Sequence, residues 1–252
     1  MADDVLRLIQ ITDCHVTAAP DVPFLGVDPL ATLEAVLAEV RGEPCDAVLA
    51  TGDLAAGGEE AQYRRLKPLL VGLGTPVFIL PGNHDDPAVL RRQLAGGAIR
   101  AEPRWEPGRW RILFLDSTIP GRDSGRLGPA RLAELERALA RHTTRPVLVV
   151  LHHNPVFTGS EADDCPLEDG TDLLDMLDRY AHVKGVLWGH IHCAFDAVRR
   201  GVRLMGTPST AAQFSTAPGS VAWAETAPGY RRLALHPDGR IETDVVWVRG
   251  AG

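Results

Sequence analysis

The chain has 252 residues, 45% of them hydrophobic and 23% charged, a size and composition that suit one large globular domain. Its formal net charge of −7 argues against general binding to nucleic acid or to an anionic membrane, because either would need a basic face. The four cysteines form no C-x-x-C pair, residues 1–4 lack a signal-peptide pattern, and no apolar run could cross a bilayer, so we expect reduced thiols and a cytoplasmic location.

The first 80 residues alternate between strands and helices. The expected elements are a strand at 6–11, a helix that Asp28 caps and Gly42 ends, a strand at 47–50, a helix at 59–73 and a strand at 76–80. Pro68 should kink or divide the second helix. This alternation predicts parallel strands with right-handed helical crossovers, whose carboxyl ends meet at one edge, where ligands bind in open α/β sheets.

Further along, the pattern continues and then changes. We expect a helix at 88–94, a strand at 110–115, a helix after Pro129, a strand at 147–151, a helix that Thr171 caps and a strand at 183–188. The helical periodicity then stops, and hairpins are predicted at 195–205 and 230–248. These hairpins should add a mostly antiparallel sheet, packed on the first sheet within a single domain spanning residues 1–252.

Five strand ends carry groups that bind metals. They are Asp13-Cys14-His15, Gly52-Asp53, Gly82-Asn83-His84-Asp85, His152-His153 and Gly189-His190-Ile191-His192. Six of the nine histidines lie in these turns, which a random scatter would not produce. In an extended backbone, residues two apart point to one face. Asp13 and His15 should therefore converge on one centre, as should His190 and His192, while Cys14 should pack in the core.

These turns supply seven plausible metal ligands: Asp13, His15, Asp53, Asn83, His152, His190 and His192. Seven are too many for one tetrahedral zinc site, and they suit two octahedral ions that share a carboxylate and a bridging water. Mixed carboxylate, amide and imidazole ligation favours transition metals over calcium or magnesium. We expect two divalent or mixed-valence ions, iron or manganese first, with zinc and cobalt as alternatives.

Two such ions can hold phosphoryl oxygens, activate a bridging water and stabilise a leaving oxygen. The histidine left over, His84, would stand beside the metals and give a proton or a hydrogen bond to the leaving group.

Together and in this order, the five blocks resemble the signature of the calcineurin-like metallophosphoesterases. The resemblance implies an α/β fold, a four-layer α/β/β/α sandwich of two mixed sheets flanked by helices, with a dinuclear metal site at the strand C-terminal ends. It also implies that Asp53 bridges the two ions and that His84 is the catalytic histidine. The implied ligand sets are Asp13, His15, Asp53 and His192 for one ion, and Asp53, Asn83, His152 and His190 for the other.

Six other stretches are similar to one subgroup, the bacterial class III cyclic-AMP phosphodiesterases. They cover residues 8–13, 25–28, 49–55, 115–117, 207–210 and 227–231. This likeness implies hydrolysis of 3′,5′-cyclic AMP to 5′-AMP, by in-line attack of a metal-bridging hydroxide on phosphorus. The residues that would then touch the phosphate are His15, Asp53, Asn83, His84, His153 and His192.

The chain departs from the subgroup at two places. Asn154 stands where the subgroup usually has a third histidine, and the acidic loop at 158–170, which should line the pocket mouth, has a different sequence. Nucleotide preference therefore stays open, as does the choice between a homodimer and another oligomeric state. His153 has two readings, as a phosphate contact or as a support behind the ligands.

Two other functions remain as alternatives. One is hydrolysis of another small diester, such as a glycerophosphodiester or a 2′,3′-cyclic nucleotide. The other is an inactive scaffold that binds protein, which the complete ligand set opposes.

Overall fold

The computed structural model describes residues 5–20, 22–141, 143–215, 223–224 and 227–249. Residues 1–4, on which the signal-peptide reading depends, lie outside these ranges. Within them, no helix has both the length and the apolar character needed to cross a membrane.

The helices and strands lie close to their predicted positions. In the first half they are β1 (Leu6–Ile11), α1 (Pro29–Arg41), β2 (Ala47–Thr51), α2 (Glu60–Val71), β3 (Val77–Leu80), α3 (Pro87–Leu94), β4 (Ile99–Arg100), β5 (Arg104–Trp105) and β6 (Arg111–Phe114). In the second half they are α4 (Gly128–Arg141), β7 (Val147–Val150), a 3₁₀ turn (Glu161–Asp164), α5 (Gly170–Leu177), β8 (Val183–Trp188), β9 (Phe195–Arg199), β10 (Val202–Gly206), β11 (Gln213–Phe214), β12 (Trp223–Ala224), β13 (Gly229–Leu235) and β14 (Ile241–Trp247).

Among the described residues, the strands form two large mixed sheets of six strands each. The first has the order β14-β13-β1-β2-β3-β4, and the second has the order β5-β6-β7-β8-β10-β9. Strands β1 to β4 are parallel, and so are β6, β7, β8 and β10. The fold is the predicted α/β sandwich of two mixed sheets flanked by helices.

The expectation of a separate antiparallel sheet from the C-terminal third is wrong. The hairpin β9–β10 extends the second sheet, with β10 parallel to β8. The hairpin β13–β14 instead extends the first sheet, with β13 antiparallel to β1. Each hairpin thereby pairs with the backbone groups of an open sheet edge. A separate antiparallel sheet would leave those groups unpaired.

Alternating side chains divide the interior into three layers. In β2, Ala47 and Leu49 face the second sheet, whereas Val48 and Ala50 face the helices α1 to α3. In β7, Leu148 likewise faces the first sheet, while its neighbours pack under α4 and α5. Because both faces of each sheet are covered, the central strands are uniformly apolar, and polar groups are left to the strand ends.

Two helix predictions need correction. Helix α2 runs unbroken through Pro68. The proline removes one backbone hydrogen bond, but Leu66 and Leu70 on either side of it pack in the core and hold the helix together. Helix α5 begins at Gly170, ahead of the predicted cap Thr171. Asp169 precedes it, and its carboxylate accepts hydrogen bonds from the backbone at the start of α4 instead.

Candidate active site

The five ligand-bearing turns follow β1, β2, β3, β7 and β8, and they meet at the carboxyl ends of both sheets. Backbone hydrogen bonds join the turns directly. The amide of Asp13 donates to the Gly52 carbonyl at 3.0 Å, and the amide of His15 donates to the Asp53 carbonyl at 2.9 Å. Within the second sheet, the amide of Gly189 donates to the His152 carbonyl at 3.2 Å.

The i, i+2 spacing predicts an extended backbone in these turns, and this prediction is wrong. Five of the seven candidate ligands have φ between 44° and 66°, in the left-handed region: Asp13, His15, Asp53, His190 and His192. Residues with a Cβ avoid this region at a cost of about 1–2 kcal/mol each, so the surrounding structure must impose it. Asp13 and His15 still converge on one group of ligands, as predicted, whereas His190 and His192 belong to two different groups.

The first group contains Asp13, His15 and His192, all buried, with ligating atoms within 4.8 Å of one another. The Asp13 Oδ1 lies 3.2 Å from the His192 Nε2. The Nε2 atoms of His15 and His192 are 3.1 Å apart.

The second group contains Asp53, His152 and His190, equally buried and within the same distance limit. The Asp53 Oδ2 lies 3.4 Å from the His152 Nε2. The Asn83 Oδ1 lies 3.1 Å from that same nitrogen. Asp53 also approaches the first group, since its Oδ2 is 3.8 Å from the His15 Nε2.

His84 forms a further cluster with His15 and Asp53 and is the most exposed of the three. Its backbone amide donates to the Asp53 Oδ1 at 2.8 Å. Its ring Nδ1 lies 3.1 Å from the Ala56 carbonyl, which leaves the Nε2 available to a substrate.

The chemistry of these groups fits bound cations. The Nδ1 of His152 contacts the Thr51 carbonyl and that of His192 contacts the Ala212 carbonyl. Because a carbonyl only accepts, both Nδ1 atoms carry hydrogen and both Nε2 lone pairs point inward. There they meet carboxylate and amide oxygens, so each group gathers acceptors that need a positive charge between them.

The pKa values favour neutral imidazoles at His15 and His190 and a positive charge at His152. Burial lowers the pKa of His15 well below its ordinary value. Burial, together with the charge of His152, lowers the pKa of His190 to about 4. Burial also opposes charge on His152, yet the carboxylates of Asp53 and Asp13 raise its pKa to about 9. A metal ion could take the place of that proton, since neutral imidazoles and carboxylates are its ligands.

Asp85 supports two of the turns from behind. Its carboxylate accepts hydrogen bonds from the backbone amides of Leu54, Ala55 and Gly82 at 2.9–3.1 Å, and from the Tyr63 hydroxyl at 2.9 Å. It therefore fixes the turn of Asp53 against that of Asn83.

His153 is fully buried and lies behind the ligands. Its Nδ1 is 2.8 Å from the Ser117 hydroxyl, and its Nε2 is 3.1 Å from the Asp123 carbonyl. Both ring nitrogens thus have protein partners, and its role as a phosphate contact stays a prediction.

A cavity of about 230 Å³ opens onto the site. A larger cavity, of about 680 Å³, lies between α3 and α4 and is lined by none of the seven candidate ligands. Besides the ligands, the smaller cavity is lined by residues that the sequence reading had not assigned: Phe24, Asp123, Glu161, Ala162, Cys165 and Phe214. Three of these belong to the loop 158–170, as expected for a loop at the pocket mouth.

The two phenylalanines lie directly on metal-binding candidates. The Phe24 ring stacks on His15 with centroids 3.8 Å apart, and the Phe214 ring stacks on His192 at 4.2 Å. The similarity of residues 25–28 to the subgroup was a signal that pointed near Phe24. The similar stretch at residues 207–210 pointed less closely to Phe214, which lies four residues beyond it and far in sequence from every ligand turn.

Comparisons with known proteins agree with this geometry. The chain is 38% identical, over 96% of its length and 90% of the relative's, to the 3′,5′-cyclic adenosine monophosphate phosphodiesterase CpdA of Pseudomonas aeruginosa. It is 37% identical to CpdA of Escherichia coli, over 95% of its length and 89% of that protein's. A dimetal phosphatase from Danio rerio shares the fold, with a TM-score of 0.70 at 15% identity over 98% of this chain and all of that one. The sequence profile of the calcineurin-like phosphoesterases matches residues 6–194, and the chain belongs to this family, as its five ligand turns predict.

Proposed function

We propose that this protein hydrolyses 3′,5′-cyclic AMP to 5′-AMP with the help of two transition-metal ions. The observation that carries the proposal is that two groups of buried ligands lie on either side of the Asp53 carboxylate, whose Oδ2 is 3.4 Å from the His152 Nε2 of one group and 3.8 Å from the His15 Nε2 of the other. Such a pair of sites is suited to attack on phosphorus in a phosphodiester. The relatives named as cyclic-AMP phosphodiesterases, at 33–38% identity across nearly the whole chain, support the choice of substrate.

In this proposal, Asp13, His15, Asp53 and His192 hold one ion, while Asp53, Asn83, His152 and His190 hold the other. When bound, the ions would supply a bridging hydroxide nucleophile at neutral pH and charge stabilisation for the phosphoryl oxygens. Iron or manganese is preferred, with zinc or cobalt as alternatives, because the ligand set mixes nitrogen with oxygen.

The chain's own residues orient the ester and move the proton. Breaking the ring of cyclic AMP leaves an alkoxide on the ribose, which departs readily only if it gains a proton. His84 is suited to give that proton, because it borders both His15 and Asp53 and remains half-exposed to the cavity. We assign His15, Asp53, Asn83, His84 and His192 to the phosphate, and keep His153 as a further predicted contact.

The test is hydrolysis of cyclic AMP by metal-stripped protein, with and without added manganese or iron. We expect 5′-AMP to appear only with metal, and 3′-AMP not to appear. If the loaded protein cleaves only a 2′,3′-cyclic nucleotide or a glycerophosphodiester, the metal chemistry stands and the substrate assignment is wrong. If no diester is cleaved and no metal is bound, the scaffold alternative replaces the proposal.

A cytoplasmic location and a homodimeric state stay predictions. Fractionation of cells that express the protein, and light scattering of the purified chain, would test them.

A further inference from the structure

Two stretches that resemble the cyclic-AMP subgroup hold no predicted ligand: Thr207-Pro208-Ser209-Thr210 and Ala227-Pro228-Gly229-Tyr230-Arg231. Yet their polar side chains are deeply buried, with Thr207, Ser209 and Arg231 fully inaccessible to solvent. Buried polar groups are costly unless they are hydrogen-bonded. The hydrogen bonds of residues 207–214, called the strap below, join this segment to the ligand turns.

The strap runs beside the turn that carries Asp13. The Ser209 hydroxyl donates to the backbone carbonyl of Asp13 at 2.7 Å, and the amide of Thr210 donates to the carbonyl of Thr12 at 3.1 Å. These bonds act on a backbone that is held at φ 54°, a conformation that an aspartate rarely adopts without support. The strap thus helps to impose the turn that aims the Asp13 carboxylate.

The same strap orients His192. The Ala212 carbonyl accepts from the His192 Nδ1 at 2.7 Å, which fixes the tautomer and leaves the Nε2 to face Asp13 and His15. The Phe214 ring lies flat on the imidazole, with an interplanar angle of 8°, and its amide donates to the His192 carbonyl at 3.1 Å. The His192 imidazole can therefore neither flip nor tilt without breaking its contacts to the strap.

The strap is braced internally and anchored to the sheets at its start. Near its C-terminal end, the Gln213 side chain accepts from the Ser209 amide at 3.0 Å and donates to the Ser209 carbonyl at 2.7 Å. At its start, the Arg231 guanidinium donates to the Thr207 hydroxyl at 3.1 Å and to the Gly206 carbonyl at 2.8 Å. Arg231 belongs to the first sheet and Gly206 to the second, so the anchor spans the sandwich directly beneath the site.

We propose that the strap is a positioning device for one half of the metal centre, the half formed by Asp13, His15 and His192. The inference rests on the proposed two-metal function and deepens it, because it assigns the two subgroup stretches to one ion. Ser209 acts through the backbone of Asp13, and neither Ser209 nor Gln213 touches the reacting atoms.

The other half is held by different groups. The His152 Nδ1 contacts the Thr51 carbonyl at 2.9 Å, and the His190 Nε2 contacts the Cys165 carbonyl at 3.0 Å. Among the hydrogen bonds of the described residues, none joins the strap to the side chains of Asp53, His152 or His190. The Asp13 carboxylate does accept from the His190 backbone amide at 3.0 Å, but the His190 ring is oriented by the Cys165 carbonyl. Loosening the strap should therefore weaken the ion of Asp13, His15 and His192 far more than the other ion.

The test is a manganese titration of the metal-stripped, full-length protein, followed by electron paramagnetic resonance. We expect the parent to bind two manganese ions per chain and to show their magnetic coupling. In Ser209→Ala, one ion should keep its affinity and the other should bind about 10–100-fold more weakly, the range for lost outer contacts of metal ligands. Gln213→Leu, which acts only through the strap, should produce the same selective loss and serves if Ser209→Ala folds poorly.

Reference variants identify the ion that remains. The manganese retained by Ser209→Ala should give the spectrum of the ion retained by His192→Ala, and not that of His190→Ala. Thr32→Val is the matched control, because it removes a buried hydroxyl whose bonds within the described residues go to the Asp28 and Pro29 carbonyls at the start of α1, and it should bind two ions as the parent does.

Two results would overturn the inference. One is parent-like binding of both ions by Ser209→Ala and Gln213→Leu, and the other is an equal weakening of both ions. Fewer than two ions bound by the parent would instead refute the two-metal function on which the inference rests.

Discussion

Replacing His84 with alanine separates proton donation from metal binding. The side chain makes one hydrogen bond, from its ring to the Ala56 carbonyl at 3.1 Å, and it is half-exposed, so water can replace that bond. The contact that supports Asp53 comes from the backbone amide of His84, which alanine keeps. We therefore expect His84→Ala to bind both metals and to lose about 0.5–1.5 kcal/mol of stability, the net value of one hydrogen bond.

The loss of activity should be much larger than the loss of stability. Proton donation by a positioned side chain contributes about 10²–10⁴-fold to rate, which corresponds to about 2.7–5.5 kcal/mol in the activation free energy. That loss should appear with cyclic AMP, whose leaving group is a ribose alkoxide. With bis(p-nitrophenyl) phosphate the leaving phenolate is stable without a proton, so His84→Ala should retain most of the parent rate.

The assay measures kcat for both substrates, with manganese content determined on the same samples. His182→Ala is the control, because it removes another half-buried histidine that lines no part of the active-site cavity. Equal losses on the two substrates would refute the assigned proton transfer, as would parent-like turnover of cyclic AMP by His84→Ala.

Three further predictions concern the centre and its surroundings. Asp53→Asn should reduce metal content below two ions per chain and abolish most turnover, because the shared ligand loses its charge; metal analysis and kcat measure this. Gly52→Ala and Gly74→Ala both place a Cβ at positive φ, at a cost of about 1–2 kcal/mol. Only the Cβ of Gly52→Ala would overlap a ligand ring, that of His152, so only this variant should lose metal. A melting curve with metal analysis distinguishes the two. Asp163→Ala should lower the free energy of unfolding in urea by about 2–4 kcal/mol and raise KM, because the Asp163 carboxylate accepts hydrogen bonds from Asn154, Thr158 and Gly159. Asp164 is exposed, and Asp164→Ala should change stability by less than about 0.5 kcal/mol.

Much of the centre was predictable because strand order limits where side chains can go. Parallel strands joined by crossovers bring their carboxyl ends to one edge, so Asp13, Asp53 and Asn83 had to be neighbours once β1, β2 and β3 were recognised. The apolar strands before His152 and His190 gave the same indication for the second sheet. The meeting of the two sheets followed from the family resemblance, and the interior packing between Leu49 and Leu148 now accounts for it.

The local backbone of the turns could not be predicted from spacing. Alternation in an extended chain would send His190 and His192 to one centre, but both have positive φ and they lie in two different groups. Such angles are unfavourable for residues with a Cβ, so a reading based on intrinsic preference rejects them. They are imposed by distant contacts such as that of Ser209 with Asp13, which a sequence read from one end to the other does not reveal.

The two departures from the subgroup are one structural change. The Asn154 amide donates to the Asp163 carboxylate at 2.7 Å and to the Val156 carbonyl at 2.9 Å, so the amide that replaces the usual histidine ties down the altered loop. That loop places Glu161 and Cys165 against the cavity, while Asn154 itself contacts no candidate ligand. The loop also touches one candidate ligand, since the Cys165 carbonyl lies 3.0 Å from the His190 Nε2. Because the ligand set itself is complete, we expect the main effect of the change on the part of a bound substrate that lies against Glu161 and Cys165. Differences in nucleotide preference from the CpdA relatives should therefore follow exchange of this loop together with Asn154, because exchange of either part alone would break the hydrogen bond between the Asn154 amide and the Asp163 carboxylate.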